Sequence, residues 1–104
     1  MIRDAVAANW EHEVAFLKAL IQIPSDSPPG NCAPHAEATA IALERLGFTV
    51  EQHPVPEPFV RQHGMKSVTN LIVRKTFGTG EGPVIALNAH GDVVPPGNGW
   101  TTDP

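Results

Sequence analysis

The stretch "PVIALNAHGD", residues 83–92, decides which fold class the sequence predicts. Residues 83–90 of this stretch are a candidate strand. The apolar residues run without a break from Val84 to Leu87, which is typical of a strand covered on both faces in an α/β sheet. An imidazole and a carboxylate, those of His90 and Asp92, follow this run directly. Because binding sites in open α/β sheets gather beyond the carboxyl ends of the strands, His90 and Asp92 are the leading candidates for a functional site.

Two helices are predicted upstream of this strand. Apolar side chains recur at steps of three and four from residue 2 to residue 21, which indicates an amphipathic helix. Pro24 predicts that this helix ends near Ile23. A second helix is predicted to begin near Pro34, which suits a first helical turn, and to end at Gly47, a favourable C-terminal cap. Small side chains such as Ala36 lie along one of its faces, so this helix is expected to lie close against a sheet.

Two further strands complete the prediction of an α/β fold with two helices and about three strands. Residues 48–51 alternate between apolar and polar side chains, and "SVTNLIVRK", residues 67–75, is a second candidate strand. Three prolines interrupt the chain in residues 53–64, and the glycines of "TFGTGEG", residues 76–82, suit a hairpin-like turn. Two helices cannot cover such a sheet well, so we expect an incomplete domain.

Composition excludes several classes of function. The chain has 104 residues, of which 41% are hydrophobic and 17% charged, and this is a globular composition. The net charge of -4 comes without a Lys/Arg cluster, so neither nucleic acid nor an anionic membrane surface is expected as a partner. No membrane span and no signal peptide are predicted, and the single Cys32 cannot form an internal disulfide, so the expected compartment is the cytoplasm.

His90 and Asp92 have the spacing of a histidine and the carboxylate that orients it. Residues two apart on extended chain point to the same side, and Gly91 between them adds no bulk. Neutral imidazole binds zinc well, and a carboxylate that accepts its other ring N–H fixes the ring's tautomer and orientation. An isolated pair of this kind more often only forms a hydrogen bond at a strand end, so the pair by itself leaves both interpretations open.

Four segments of the sequence resemble, in order and spacing, the amino-terminal part of a family of zinc-dependent hydrolases. They are "IPSDSPPGN", "LERLGFTVE", "TNLIVRK" and "ALNAHGDVVPPGNGWTTDP", of which "HGDVVPPGNGW" is the most specific piece. The family comprises aminoacylases, acetylornithine deacetylases, succinyl-diaminopimelate desuccinylases and glutamate carboxypeptidases. The resemblance implies that residues 1–104 are an amino-terminal fragment of a mixed-sheet zinc-peptidase catalytic domain.

The resemblance also implies an activity and roles for two residues. Members of this family are two-metal hydrolases that cleave an amide bond next to a free carboxylate, so the implied substrate is an N-acyl amino acid or a small peptide. His90 matches a histidine that binds one metal ion, and Asp92 matches a catalytic aspartate that orients this histidine. Two zinc ions are the expected cofactor, although cobalt and manganese share similar ligand preferences. A homodimer is compatible with the resemblance.

The family's other metal ligands and its general base lie downstream of the matched stretch. We therefore expect the full-length protein to be an enzyme and the 104-residue chain alone to be inactive. The alternative is a non-catalytic truncated or interaction domain that keeps the fold without metal chemistry. Four other histidines are predicted to be ordinary surface or loop residues, and Cys32 a structural or loop thiol; the histidines are His12, His35, His53 and His63.

Overall fold

The computed structural model describes all 104 residues and shows three helices and two strands. In chain order they are α1 (Ile2–Ile21), α2 (Ala33–Arg45), β1 (Val50–Pro54), α3 (Glu57–Gln62) and β2 (Thr69–Val73). The predicted α/β class is confirmed, whereas the number of elements differs: a third helix is present and the third strand is absent.

Both predicted helices are present, with ends close to the predicted positions. Helix α1 ends at Ile21, three residues before Pro24. Helix α2 begins at Ala33 with Pro34 in its first turn, and Gly47 follows its end with a φ of +86°, the left-handed conformation that glycine adopts readily. The local signals carried by proline and glycine were therefore sufficient to place these two helices.

Strands β1 and β2 form an antiparallel pair against which α2 packs. The register joins Val50 to Val73 at one end and Pro54 to Thr69 at the other. Helix α2 contacts both strands and buries its small side chains, with Ala40 only 1% exposed. The predicted close approach of this helix to a sheet is confirmed. The other buried hydrophobic residues are Ala36 and Val60.

Helix α3 occupies the proline-rich segment that the sequence predicted as an interruption. Pro54 closes β1, Pro56 precedes the helix, and Pro58 stands in its first turn. Proline is tolerated at this position because the first N–H groups of a helix have no partner within the helix. The prediction of two helices was wrong for this reason, since the signal that placed Pro34 at a helix start applies equally to Pro58.

The predicted third strand, residues 83–90, does not form. No strand lies beside this segment, because β1 and β2 pair only with each other, and a strand needs a neighbour for its backbone N–H and C=O groups. Val84 is 96% and Leu87 95% exposed, so the apolar run is not covered either. The glycines before it do form a turn, in which the Gly80 N–H donates to the Phe77 carbonyl at 3.3 Å, but no hairpin follows.

Much of the apolar surface is uncovered in this chain. The apolar stripe of α1 is 42% exposed or more at every position; its residues are Ile2, Val6, Trp10, Val14, Leu17 and Ile21. The radius of gyration is 16.4 Å, compared with about 13 Å for a compact domain of this length. None of the three helices combines the length and the hydropathy that a membrane crossing requires.

Candidate functional site

His90 and Asp92 contact each other as their spacing predicts. The Nδ1 atom of His90 lies 2.8 Å from the backbone oxygen of Asp92 and 3.1 Å from its Oδ1 atom. Both oxygens accept hydrogen bonds, so Nδ1 carries the ring proton and donates it to Asp92. The Nε2 atom makes no hydrogen bond within the chain, and the His90 side chain is 85% exposed. In the neutral ring, Nε2 therefore offers a lone pair to an ion that approaches from solution.

A loop between α1 and α2 anchors the segment that carries the pair. The Ser25 hydroxyl donates to the Gly91 carbonyl at 2.7 Å, and the Ser25 carbonyl accepts from the Val93 N–H at 3.1 Å. The Ser27 N–H donates to the Val93 carbonyl at 2.8 Å, which completes a parallel bridge between Asp26 and Val93. Residues 91–93 are therefore held in place although no sheet contains them.

The same loop is fixed in turn to the residues that lead into β2. The Gly30 carbonyl accepts from the N–H groups of Lys66 and Ser67, at 3.0 and 3.1 Å. The Ser67 hydroxyl accepts from the Ala33 N–H at 3.0 Å, at the start of α2, and donates to Asn31 Oδ1 at 2.6 Å. Hydrogen bonds thus connect residues 66 and 67, just before β2, to the loop, and connect the loop to the segment that carries His90.

Cys32 is the last residue of this loop, directly before α2, and it is a protonated thiol. Its Sγ atom donates to the Ser25 carbonyl at 3.6 Å. Partial burial, followed by the negative charges of Asp92 and Asp26, raises the pKa of the Cys32 thiol above its usual range. A raised pKa lowers the thiolate fraction, so the side chain is a poor nucleophile and agrees with the predicted structural role.

His35 lies at the candidate site, where the sequence predicted only a surface position early in α2. A Cβ atom built on Gly91 would lie 3.3 Å from the Cε1 and Nδ1 atoms of the His35 ring. The imidazole therefore lies against the glycine that separates His90 from Asp92. No sequence signal connects residues so far apart in the chain, which is why this placement was missed.

The remaining histidines make local contacts or none. His12 is exposed on α1. His53 Nε2 donates to Glu51 Oε2 at 3.4 Å on β1, and His63 Nδ1 donates to the Phe59 carbonyl at 2.8 Å at the end of α3. None of the three forms a hydrogen bond with His90 or Asp92, in keeping with the surface and loop positions predicted for them.

His90 and Asp92 fit one ligand of a metal site and the residue that orients it, but they do not make a complete site. No three His, Cys, Asp or Glu side chains lie close enough together to hold an ion. Zinc sites generally take three or four protein ligands. His90, with its free Nε2 and its Nδ1 held by a carboxylate, has the donor chemistry of a single zinc ligand with an orienting partner.

The chain is similar to the amino-terminal portion of bacterial succinyl-diaminopimelate desuccinylases. It is 42% identical over 85 residues to the protein of Rhizorhabdus wittichii, covering 82% of this chain and 20% of that protein. It is 39% identical over 93 residues to the protein of Methylorubrum extorquens, a match that covers 88% of this chain and 22% of that protein. It is 37% identical over 98 residues to the protein of Methylobacterium nodulans, and this match covers 92% of this chain and 22% of that protein. The chain thus spans about a fifth of the length of these curated relatives. No protein-family model and no solved structure matches it.

Proposed function

Since the chain corresponds to the amino-terminal portion of the aminoacylase and desuccinylase family, we propose that the full-length protein is a metal-dependent hydrolase. The motifs of the sequence predicted this family. The proposed reaction is the cleavage of the amide bond of an N-acyl amino acid or small peptide that carries a free carboxylate. One observation carries the proposal: His90 donates its Nδ1 proton to Asp92 and keeps Nε2 free, in a chain similar to desuccinylases.

The proposed roles of the two side chains follow from their contacts. His90 would hold one metal ion through Nε2, and Asp92 would keep the ring in the tautomer that leaves this nitrogen unprotonated. Because Asp92 is negatively charged, it also raises the electron density that the ring offers to a cation. Two bound metal ions would supply a water molecule of lowered pKa and a Lewis acid for the scissile carbonyl. Every further ligand and the proton acceptor would come from residues outside this chain.

The relatives' names indicate the first substrate to try. N-succinyl-diaminopimelate belongs to the N-acyl amino acids with a free carboxylate, which is the class that the proposal specifies. Zinc is the proposed metal, with cobalt and manganese as substitutes of similar ligand preference. A cytoplasmic location and a homodimer of the full-length protein belong to the same proposal.

Hydrolysis by the full-length protein tests this proposal. The purified protein would be stripped with a chelator, dialysed, and assayed for amine release with zinc, cobalt or manganese restored. We expect N-succinyl-diaminopimelate or an N-acetyl amino acid to be hydrolysed only when metal is present. The matched N-acetyl amino acid amide, which lacks the carboxylate, should react far more slowly. Absence of hydrolysis with all three metals would reject the enzyme and favour a non-catalytic domain with the same fold.

A further inference from the structure

Ser25 is buried although it belongs to a loop. Its exposed fraction is 5%, and it is a buried polar residue in a chain that buries few residues of any kind. A buried hydroxyl needs a partner, and that of Ser25 donates to the Gly91 carbonyl at 2.7 Å, across 66 positions of sequence. The Ser25 hydroxyl therefore binds the backbone carbonyl of Gly91, the residue that separates His90 from Asp92.

Ser25 contacts the peptide groups on both sides of Asp92. Its hydroxyl fixes the carbonyl of the Gly91–Asp92 peptide, and its own carbonyl accepts the N–H of the Asp92–Val93 peptide at 3.1 Å. In a trans peptide, N–H and C=O point in opposite directions. The Asp92 carbonyl is therefore directed away from Ser25, and it is this oxygen that accepts the His90 Nδ1 proton at 2.8 Å.

We propose that Ser25 is a positioning residue for His90 and that it acts through the backbone of Asp92. The part of the proposal that concerns metal binding by His90 rests on the proposed function. The hydroxyl of Ser25 fixes the peptide plane before Asp92, and the fixed Asp92 presents both its backbone oxygen and Oδ1 to Nδ1. The result is an imidazole whose proton stays on Nδ1 and whose Nε2 is free before any metal arrives.

Ser27 provides a matched control in the same loop. It takes part in the same parallel bridge, because its N–H donates to the Val93 carbonyl at 2.8 Å, but its hydroxyl makes no hydrogen bond. Ser27→Ala therefore removes a hydroxyl from the same loop without removing a hydrogen bond to residues 91–93. Ser25→Ala removes the bond to Gly91, and Ser25→Thr keeps a hydroxyl at that position.

Two readouts on the full-length protein test the proposal. The first is the tautomer of His90 in the metal-free protein, read from the nitrogen shifts of ¹⁵N-labelled histidine at a pH where the ring is neutral, with the signal assigned by its loss in His90→Gln. The second is the dissociation constant for zinc, measured by competition with a chromophoric chelator. We expect Ser25→Ala to shift the ring toward the Nε2-protonated form and to weaken zinc binding about tenfold, the lower end of the range for groups that orient a metal ligand.

The control variants separate positioning from general stability. Ser27→Ala should match the native protein in both readouts, and Ser25→Thr should restore most of what Ser25→Ala loses. The proposal is overturned if Ser25→Ala and Ser27→Ala give the same tautomer and the same zinc affinity, or if Ser25→Thr restores neither. A tautomer shift in Ser25→Ala supports the proposal even if the native protein hydrolyses no substrate, since that result rejects only the proposed function.

Discussion

Gly30→Ala should destabilise the protein strongly, because two separate constraints act on that position. The backbone at Gly30 has a φ of +70°, which side-chain-bearing residues rarely adopt. A Cβ atom there would lie 2.9 Å from the Cβ and Cγ atoms of Met65 and 3.0 Å from its Cα. Since two of these three atoms belong to the backbone or are attached directly to it, Met65 cannot turn away from the added methyl group.

The size of the effect follows from these two constraints. Left-handed backbone costs a residue other than glycine roughly 1–2 kcal/mol, and overpacking costs about 1–3 kcal/mol. The reduced freedom of alanine in the unfolded chain offsets about 0.4–1 kcal/mol of this. We expect Gly30→Ala to lower the free energy of unfolding by roughly 2–4 kcal/mol. Gly47→Ala is the matched control, since its φ is +86° and nothing lies within 4 Å of the added Cβ, so it should lose only about 1 kcal/mol.

Urea unfolding of the full-length protein and of the two variants measures both losses by linear extrapolation. The difference between Gly30→Ala and Gly47→Ala isolates the contact with Met65. If the two variants lose the same free energy, Gly30 does not lie against Met65, and the anchoring of the loop to residues 65–67 is wrong. Loss of that anchor should also weaken metal binding at His90, because the same loop carries Ser25.

Three further predictions concern the 104-residue chain on its own. It should lose zinc on dialysis, because His90 is the one strong ligand candidate it contains; one tightly held zinc per chain by elemental analysis would count against this. It should self-associate and bind a hydrophobic dye through the exposed residues 84–87, whereas a monodisperse monomer with a sharp melt would contradict us. At about pH 8, Cys32 of the folded chain should react with iodoacetamide more slowly than Cys32 of the chain unfolded in urea, because folding raises the pKa of the thiol. Any stability linked to this group is present at neutral pH and is lost as alkaline pH ionises the thiol. Equal reaction rates in the folded and the unfolded chain would refute the pKa shift.

Local chemistry made the helices predictable. Pro24 and Pro34 constrain the backbone whatever surrounds them, and Gly47 adopts a conformation that few other residues tolerate, so the sequence located both ends of the loop and the end of α2. Helix α3 was missed although Pro58 carries the same signal as Pro34. Three prolines close together favoured an irregular segment, but each one occupies a position that tolerates it.

Partners distant in sequence could not be read from local patterns. The apolar run of residues 83–90 reports a tendency to be buried, but whether a strand forms depends on a neighbouring strand, which β1 and β2 do not provide. His90 and Asp92 are two residues apart, so extended backbone alone predicted their contact. Ser25 and His35 reach Gly91 from 66 and 56 positions away, and only the fold brings them there.

The central claim is that His90 Nε2 binds a metal ion while Asp92 holds Nδ1, and metal content measures it most directly. Bound metal and hydrolysis would be measured on four proteins prepared together: the native full-length protein, His90→Ala, Asp92→Asn and His12→Ala. The last variant is the control, because His12 is an exposed histidine outside the site.

We predict that His90→Ala loses one metal ion and its activity, and that His12→Ala matches the native protein. Asp92→Asn should retain metal only at high concentration, with affinity or turnover reduced about 10- to 100-fold, because it keeps the shape of the side chain without its charge. Full metal content and normal turnover in His90→Ala would contradict the claim and reduce the pair to a hydrogen bond between neighbours.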